Sequence, residues 1–233
     1  MTRALKVFSS IAVRGVLETL VPEFERAHGA HLDIGWNTAP ALVKRLQAGE
    51  TADVLILNRP GMDTVTREGR VLAGSEVTLA SSPTALAIRV GESRPDISTV
   101  DALKRTLLAA RAVSYTDPAA GGASGIYFAK LIERLAIAEE INAKTTFPPP
   151  GGLVGHLLVS GAVDLAVQQS PELLEVAGVE ILGTLPGDLH MVTTFVAGIE
   201  VSSASVTTAK ALIDLLAAPS TAVLFREKGL DPA

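Results

Sequence analysis

The residues able to do chemistry in this chain are small hydroxyl and glycine residues at the ends of apolar runs. Between Val113 and Ala136 the sequence reads VSYTDPAAGGASGIYFAKLIERLA. A β-type run from Val113 to Thr116 stops at Asp117-Pro118. Gly121, Gly122 and Gly125 then lead into Ile126, Phe128, Leu131, Ile132 and Leu135, which share a helical stripe. Strand, Gly-rich turn and helix in that order let a small ligand reach backbone N–H groups at a helix N-terminus, where the peptide dipoles favour an anion. Ser124 reads as N-cap and ligand donor together, and Asp117 as the cap of the turn after its strand.

Three further turns share this plan: Ser9 to Arg14, Trp36 to Pro40, and Pro148 to Leu153 with Gln169-Ser170 beside it. Backbone donors are expected near Ala12, Ala39, Ser124 and Gly152. Side-chain contacts are expected from Ser9, Ser10, Thr38, Ser124, Gln169 and Ser170. Tyr127 reads as core and His156 as solvent-facing.

Composition removes several alternatives. The chain has no Cys, so thiolate metal sites, disulfides and Cys nucleophiles are absent. Its four His are scattered without zinc-ligand spacing, and no metal or cofactor is expected. The net charge of −5, without a Lys/Arg stripe, and an aromatic content of 4% argue against a nucleic-acid partner. There is no GxGxxG with a following acidic partner and no Walker lysine, which disfavours a nucleotide. No run is long enough to insert in a membrane. Met1 to Val7 enters a strand without an apolar leader, so the chain as written is expected to be cytoplasmic, or periplasmic if a leader was removed.

The elements that must position these turns alternate. Strands are expected at Leu5–Phe8, Leu32–Trp36 and Asp53–Leu57, with helices after each. Next come strand-like runs at Val77–Leu79 and Ala85–Val90, broken at Ser81-Ser82-Pro83, and a helix capped by Ser98 or Thr99. Further strands are expected at Val113–Thr116, Lys144–Phe147, Ala162–Val167, Val179–Leu182 and Val192–Val201. Two C-terminal helices follow, Ser205–Leu216 capped by Ser205, and Pro219–Lys228. The pattern predicts an α/β fold of two doubly wound lobes, in which ligands lie beyond the C-terminal strand ends. Lobe 1 is expected to be residues 1–84 plus 193–233, with the C-terminal helices packed on it, and lobe 2 residues 85–192.

Four segments carry a family resemblance: VFSSIAVRGVLETLVPEFERAHG (Val7–Gly29), ALVKRLQAGETADVLI (Ala41–Ile56), TDPAAGGASGIYFAKLIERL (Thr116–Leu135) and FREKGL (Phe225–Leu230). On these the chain resembles the periplasmic molybdate-binding proteins, a branch of the type II solute-binding proteins, nearly end to end. The resemblance implies two α/β lobes joined by a two-strand hinge, near Ser82–Ala87 and Met191–Val196. It also implies a tetrahedral oxyanion such as molybdate, held in the interlobe cleft without counter-cations by Ser hydroxyls and helix N-terminal N–H groups, and a transporter permease as partner if the protein is exported. The site departs from that family. Ala12 stands where it has its first-turn serine, Thr38 and Ala39 where it has a serine cluster, and Gln169 where it has a tyrosine. Arg14, in the first turn of the first helix, suits a carboxylate through a bidentate pair. The same scaffold is similar to an aconitate isomerase. An isomerase of an unsaturated polycarboxylate, with His156, Asp117 or Glu172 as base, therefore stands beside the binding protein and a cytoplasmic ligand sensor.

Overall fold

The computed structural model describes residues 4–149 and 151–233. Met1–Arg3, and Pro150 of the expected Pro148–Leu153 turn, lie outside the described residues. In chain order the elements are β1 (Leu5–Ser10), α1 (Arg14–His28), β2 (Leu32–Asn37), α2 (Ala39–Gln47), β3 (Val54–Asn58), α3 (Arg59–Arg67) and β4 (Val77–Arg89). Then follow α4 (Val100–Ala109), β5 (Val113–Tyr115), α5 (Ala123–Arg134), α6 (Ala138–Asn142), α7 (Gly155–Val159), β6 (Leu165–Gln169), α8 (Ser170–Leu174) and β7 (Val179–Thr184). The chain closes with β8 (Val192–Ile199), α9 (Val206–Leu216), α10 (Ala222–Glu227) and β9 (Asp231–Pro232). It divides into two compact units, one running up to Ser81 and resuming at Thr193–Ala233, the other Ser82–Val192.

In the first unit β1 lies between β2 and β3, parallel to both, and β8 pairs antiparallel with β3. The alternation of apolar residues along β1 and β3 feeds both faces. Val7, Val54 and Ile56 pack with Leu17 and Phe24 of α1 and with Leu212 and Phe225 of the C-terminal helices. Phe8, Leu55 and Leu57 pack with Leu42 and Leu46 of α2 and Met62 of α3. A strand buried on both faces must be apolar throughout, which is how LKVF and VLIL read. Buried Asp53 ties the strand starts together: its carboxylate accepts from the Lys6 N–H at 2.9 Å and the Ser203 hydroxyl at 2.7 Å.

The second unit is built in the same layered way but has a mixed sheet. β5 and β6 are parallel, whereas β4 lies between β6 and β7 and is antiparallel to both. Leu165 and Val167 face α4, α5 and α6 through Leu107, Phe128 and Ile141. Ala166 faces Leu158 of α7 and Leu173 of α8.

Several elements differ from the sequence expectation. Val77–Arg89 is one continuous strand, because the extended backbone at Ser81-Ser82-Pro83 suits the fixed φ of proline. Lys144–Phe147 is not a strand. Thr145 makes a single bridge to Val113, its hydroxyl still closes the end of α6 on the Ile141 carbonyl, and Pro148-Pro149 then offer no N–H donors to extend a ladder. Thr99, not Ser98, caps α4, accepting from the Ala102 N–H at 3.1 Å. Ser205 occupies the N-cap position of α9 without a side-chain cap bond. Its own N–H instead donates to the Ser203 hydroxyl oxygen at 3.1 Å. Among the described residues no single helix is long and apolar enough to cross a membrane.

Candidate functional site

In the first unit the parallel register sets Ser9 opposite Trp36 and Ser10 opposite Asn37, so β1 and β2 end side by side. Each strand then hands over to a helix. After Ser10 comes a single 3-10 turn, Ile11–Val13, closed by the Arg14 N–H on the Ile11 carbonyl. Such a turn leaves the N–H groups of Ile11 and Ala12 without an acceptor inside the turn. After Asn37, α2 closes its first hydrogen bond from the Leu42 N–H to the Thr38 carbonyl at 3.0 Å, which leaves the Ala39 and Ala41 donors at the open end of the helix. Proline at the second helical position, Pro40, removes a donor that would be unsatisfied there in any case.

The side chains at these ends are placed unevenly. Ser9 is wholly buried, and its hydroxyl donates to the Ser10 carbonyl at 3.2 Å. Ser10 is buried and makes no side-chain cap bond. Ala12 and Ala39 are buried, while Thr38 and Arg14 are half-buried. Arg14 is the first residue of α1, reached from β1 through the Ile11–Val13 turn.

In the second unit Tyr115 lies opposite Val167, so β5 and β6 also end together. Gln168 binds the neighbouring loop: its Oε1 accepts from the Val154 N–H at 3.1 Å, which brings the Gly152–Val154 turn to the end of β6. The Ser170 hydroxyl donates to the Pro83 carbonyl at 3.2 Å. Gln169 is buried, and its Oε1 has no hydrogen-bond partner; Ser114 Oγ and Thr116 Oγ1 are buried in the same condition. Buried polar atoms are nearly always paired, so unpaired ones along these two adjacent strands mark where a bound molecule or water would sit, Gln169 on the Val167 face of the sheet and Ser114 on the Ala166 face.

Two expected roles change. Gly122, not Ser124, is the N-cap of α5; Ser124 is buried inside the first turn. The glycines there answer first to packing. A Cβ on Gly125 would stand 1.9 Å from the Thr116 carbonyl oxygen, and one on Gly122 would stand 2.5 Å from Thr116 Cγ2. α5 therefore presses on the strand end itself. The Gly152 N–H donates to the Pro149 carbonyl at 2.7 Å and is spent within its turn.

The bases named from sequence separate as well. His156 is exposed, and Glu172 is half-buried in the first turn of α8. Asp117 follows β5 and accepts from the Ala119 N–H at 2.9 Å, capping the turn as its sequence position suggested. Tyr127 packs on the core and donates its hydroxyl to the Leu189 carbonyl at 3.0 Å. The unpaired hydroxyls of Ser114 and Thr116 were missed from sequence, although the alternation in VSYT puts both on one strand face. Burial pushes the Tyr115 phenol up, and the charges of Asp117 and Glu133 add to this. No His/Asp/Glu group with metal-ligand geometry occurs among the described residues.

Comparison with known proteins agrees with this architecture. A family profile described as "Bacterial extracellular solute-binding protein" matches residues 5–231. An aconitate isomerase from Pseudomonas sp. is 32% identical over 234 residues, covering 98% of this chain and 87% of that protein. The periplasmic molybdate-binding protein of Azotobacter vinelandii superposes with a TM-score of 0.77 at 18% identity, covering 97% of this chain and 98% of that one. The sulfate-binding protein SubI of Mycobacterium tuberculosis gives a TM-score of 0.76 at 13% identity, covering 100% and 88%. These two likenesses are of fold.

Proposed function

This chain belongs to the bacterial extracellular solute-binding proteins, and we propose that it binds a small organic polycarboxylate at its strand-end turns. The observation that carries this reading is the unpaired buried Gln169 Oε1 at the end of β6, with the unpaired Thr116 Oγ1 just past the end of β5. Hydroxyls donate to a carboxylate, and an amide offers either a donor or an acceptor to a ligand that presents both. A ligand carrying several carboxyl groups meets those requirements. The first unit has donors of the same kind in Arg14 and in the N–H groups of the α1 and α2 turns. Within the second unit Thr116 and Gln169 stand at the ends of paired strands, so little ordering entropy is lost on binding. In an exported setting the membrane partner of this role is a transporter permease.

A thermal-shift panel tests this reading. Cis-aconitate, trans-aconitate and citrate should raise the melting temperature, whereas neutral sugars should not. A ligand at a hundredfold excess over its Kd stabilises by about 2.7 kcal/mol. Stabilisation by a sugar and by no anion would overturn the reading. If molybdate or sulfate shifts the protein and no carboxylate does, the ligand class is inorganic.

One observation favours a second reading, isomerisation of an unsaturated polycarboxylate: the 32% identical relative is an aconitate isomerase. Asp117 is then the base, because it sits at the end of β5 and its capping bond engages Oδ1. Proton removal beside a carboxylate needs a base within hydrogen-bond reach and donors for the developing charge. In deuterated water, aconitate should exchange C–H for C–D and interconvert. Asp117→Asn should stop exchange while a thermal shift persists. Binding without exchange in the wild type rejects catalysis and leaves the binding function standing.

A further inference from the structure

The second unit carries a cavity of about 460 Å³ at the opposite ends of its strands, away from the turns described above. Arg89 closes β4, Leu165 opens β6 and Arg111 lies two residues before β5, so the cavity sits where β5 and β6 begin. Its floor is apolar: Ile88, Val163 and Leu165 are each 3% exposed. Its rim is cationic, with Arg89, Arg105 and Arg111 converging from three different segments.

Two of these guanidiniums are held in position. Arg111 donates from Nη2 to Asp164 Oδ1 at 2.9 Å and to the Gly161 carbonyl at 3.0 Å. Its backbone N–H donates to Asp164 Oδ2 at 2.7 Å, which locks the segment. Arg89 pairs with Glu92 through Nη2. Its Nη1 stands 3.5 Å from where a Cβ on Gly161 would be, so Arg89 and Arg111 flank the same glycine. Each guanidinium has five N–H donors, and these bonds use only some of them. Arg105 has no ion pair among the described residues; its electrostatic neighbour Asp96 is engaged by the Ser98 hydroxyl and N–H. The lining thus holds three cations against the two carboxylates of Glu92 and Asp164, in a chain of net charge −5. Local positive charge over an apolar floor, in a volume typical of small-molecule sites, selects a ligand with an anionic head and an apolar body.

We propose that this cavity is a second small-molecule site, which takes a carboxylate with an aliphatic or aromatic tail, the head on Arg105 and its two fixed neighbours and the tail on Ile88, Val163 and Leu165. It is independent of the strand-end turns and of the function assigned to them.

The test uses octanoate as probe, titrated calorimetrically into the whole protein, with acetate and 1-octanol as controls. Octanoate should bind saturably. Acetate lacks the tail and octanol the charge, so each should bind at least about tenfold more weakly. Arg105→Ala should weaken octanoate about tenfold or more, and Ala109→Trp, on the exposed wall of the cavity, should abolish binding by filling it. Both variants should keep the wild-type melting temperature and its shift with aconitate, since neither touches a strand-end turn. The proposal is overturned if octanoate does not saturate, if Arg105→Ala and Ala109→Trp leave its affinity unchanged, or if Arg14→Ala abolishes its binding.

Discussion

The turns after β1 and after β5 have one plan and opposite construction. Each follows a parallel strand, makes a single 3-10 turn, and opens a helix of more than ten residues. In the first, Ile11, Ala12 and Val13 are all buried, no glycine is present, and no side chain caps the turn. In the second, no residue of Pro118–Ala120 is buried, Asp117 caps it, and Gly121 turns the chain with φ at 79°. The difference follows from where each helix lies. α1 rests on a turn that is itself core, so the turn needs apolar side chains. α5 comes down on the Thr116 carbonyl, so it needs bare backbone at Gly122 and Gly125. A Gly-rich turn is thus a packing requirement here, and the absence of glycine from the first turn says nothing against ligand contact there.

The largest effect that would break or sharpen this contrast concerns Arg14. If the first turn carries the carboxylate fork, Arg14→Ala should cost about 2–5 kcal/mol of tricarboxylate affinity by calorimetry. An unchanged Kd would move the anion recognition to backbone donors alone. Next comes Gly125→Ala, whose new Cβ would meet backbone that cannot yield. A loss of about 3 kcal/mol in denaturant unfolding is expected, whereas Ala12→Gly in the other turn should cost about 0.5–1 kcal/mol. Equal losses would show that the two turns pack alike.

Asp117→Ala removes a cap that the first turn lacks, and should lower stability by about 1 kcal/mol. The smallest effect is in alkali. The Tyr115 phenol is raised by burial, so the folded state holds its proton longer than the unfolded chain does. Its contribution is complete below the ordinary tyrosine pKa of about 10 and is lost as pH rises above that. Tyr115→Phe should flatten the fall in melting temperature above about pH 10 and leave the acid limb unchanged. An identical alkaline limb in the variant would assign that fall to other groups.

Sequence alone determined most of the scaffold, because its signals are local. Short apolar runs such as Val54–Leu57, bounded by polar and turn residues, read as strands covered on both faces, and the spacing of Val16, Leu20 and Phe24 reads as a helix lying on them. The motifs quoted from Val7, Ala41, Thr116 and Phe225 sufficed to place the chain in its family. The positions of the strand-end turns were legible for the same reason, since the residues after each apolar run are contiguous in sequence.

What the tertiary structure decided was how each residue in those turns is used. Ser124 looks like an N-cap because hydroxyls cap helices, yet Gly122 takes that place because Thr116 leaves no room for a side chain. Gly152 looks like a free donor, and its N–H is spent on Pro149. β4 reads as two strands and is one, with its partners more than 75 residues away in sequence. The unpaired Gln169 oxygen and the arginine-rimmed cavity are further cases. The β4 pairing, the Gln169 oxygen and the cavity depend on groups distant in sequence meeting in space, and a contact of that kind leaves no periodicity or spacing in the chain from which it could be read; the roles of Gly122 and Gly152 turn on backbone geometry within a single turn.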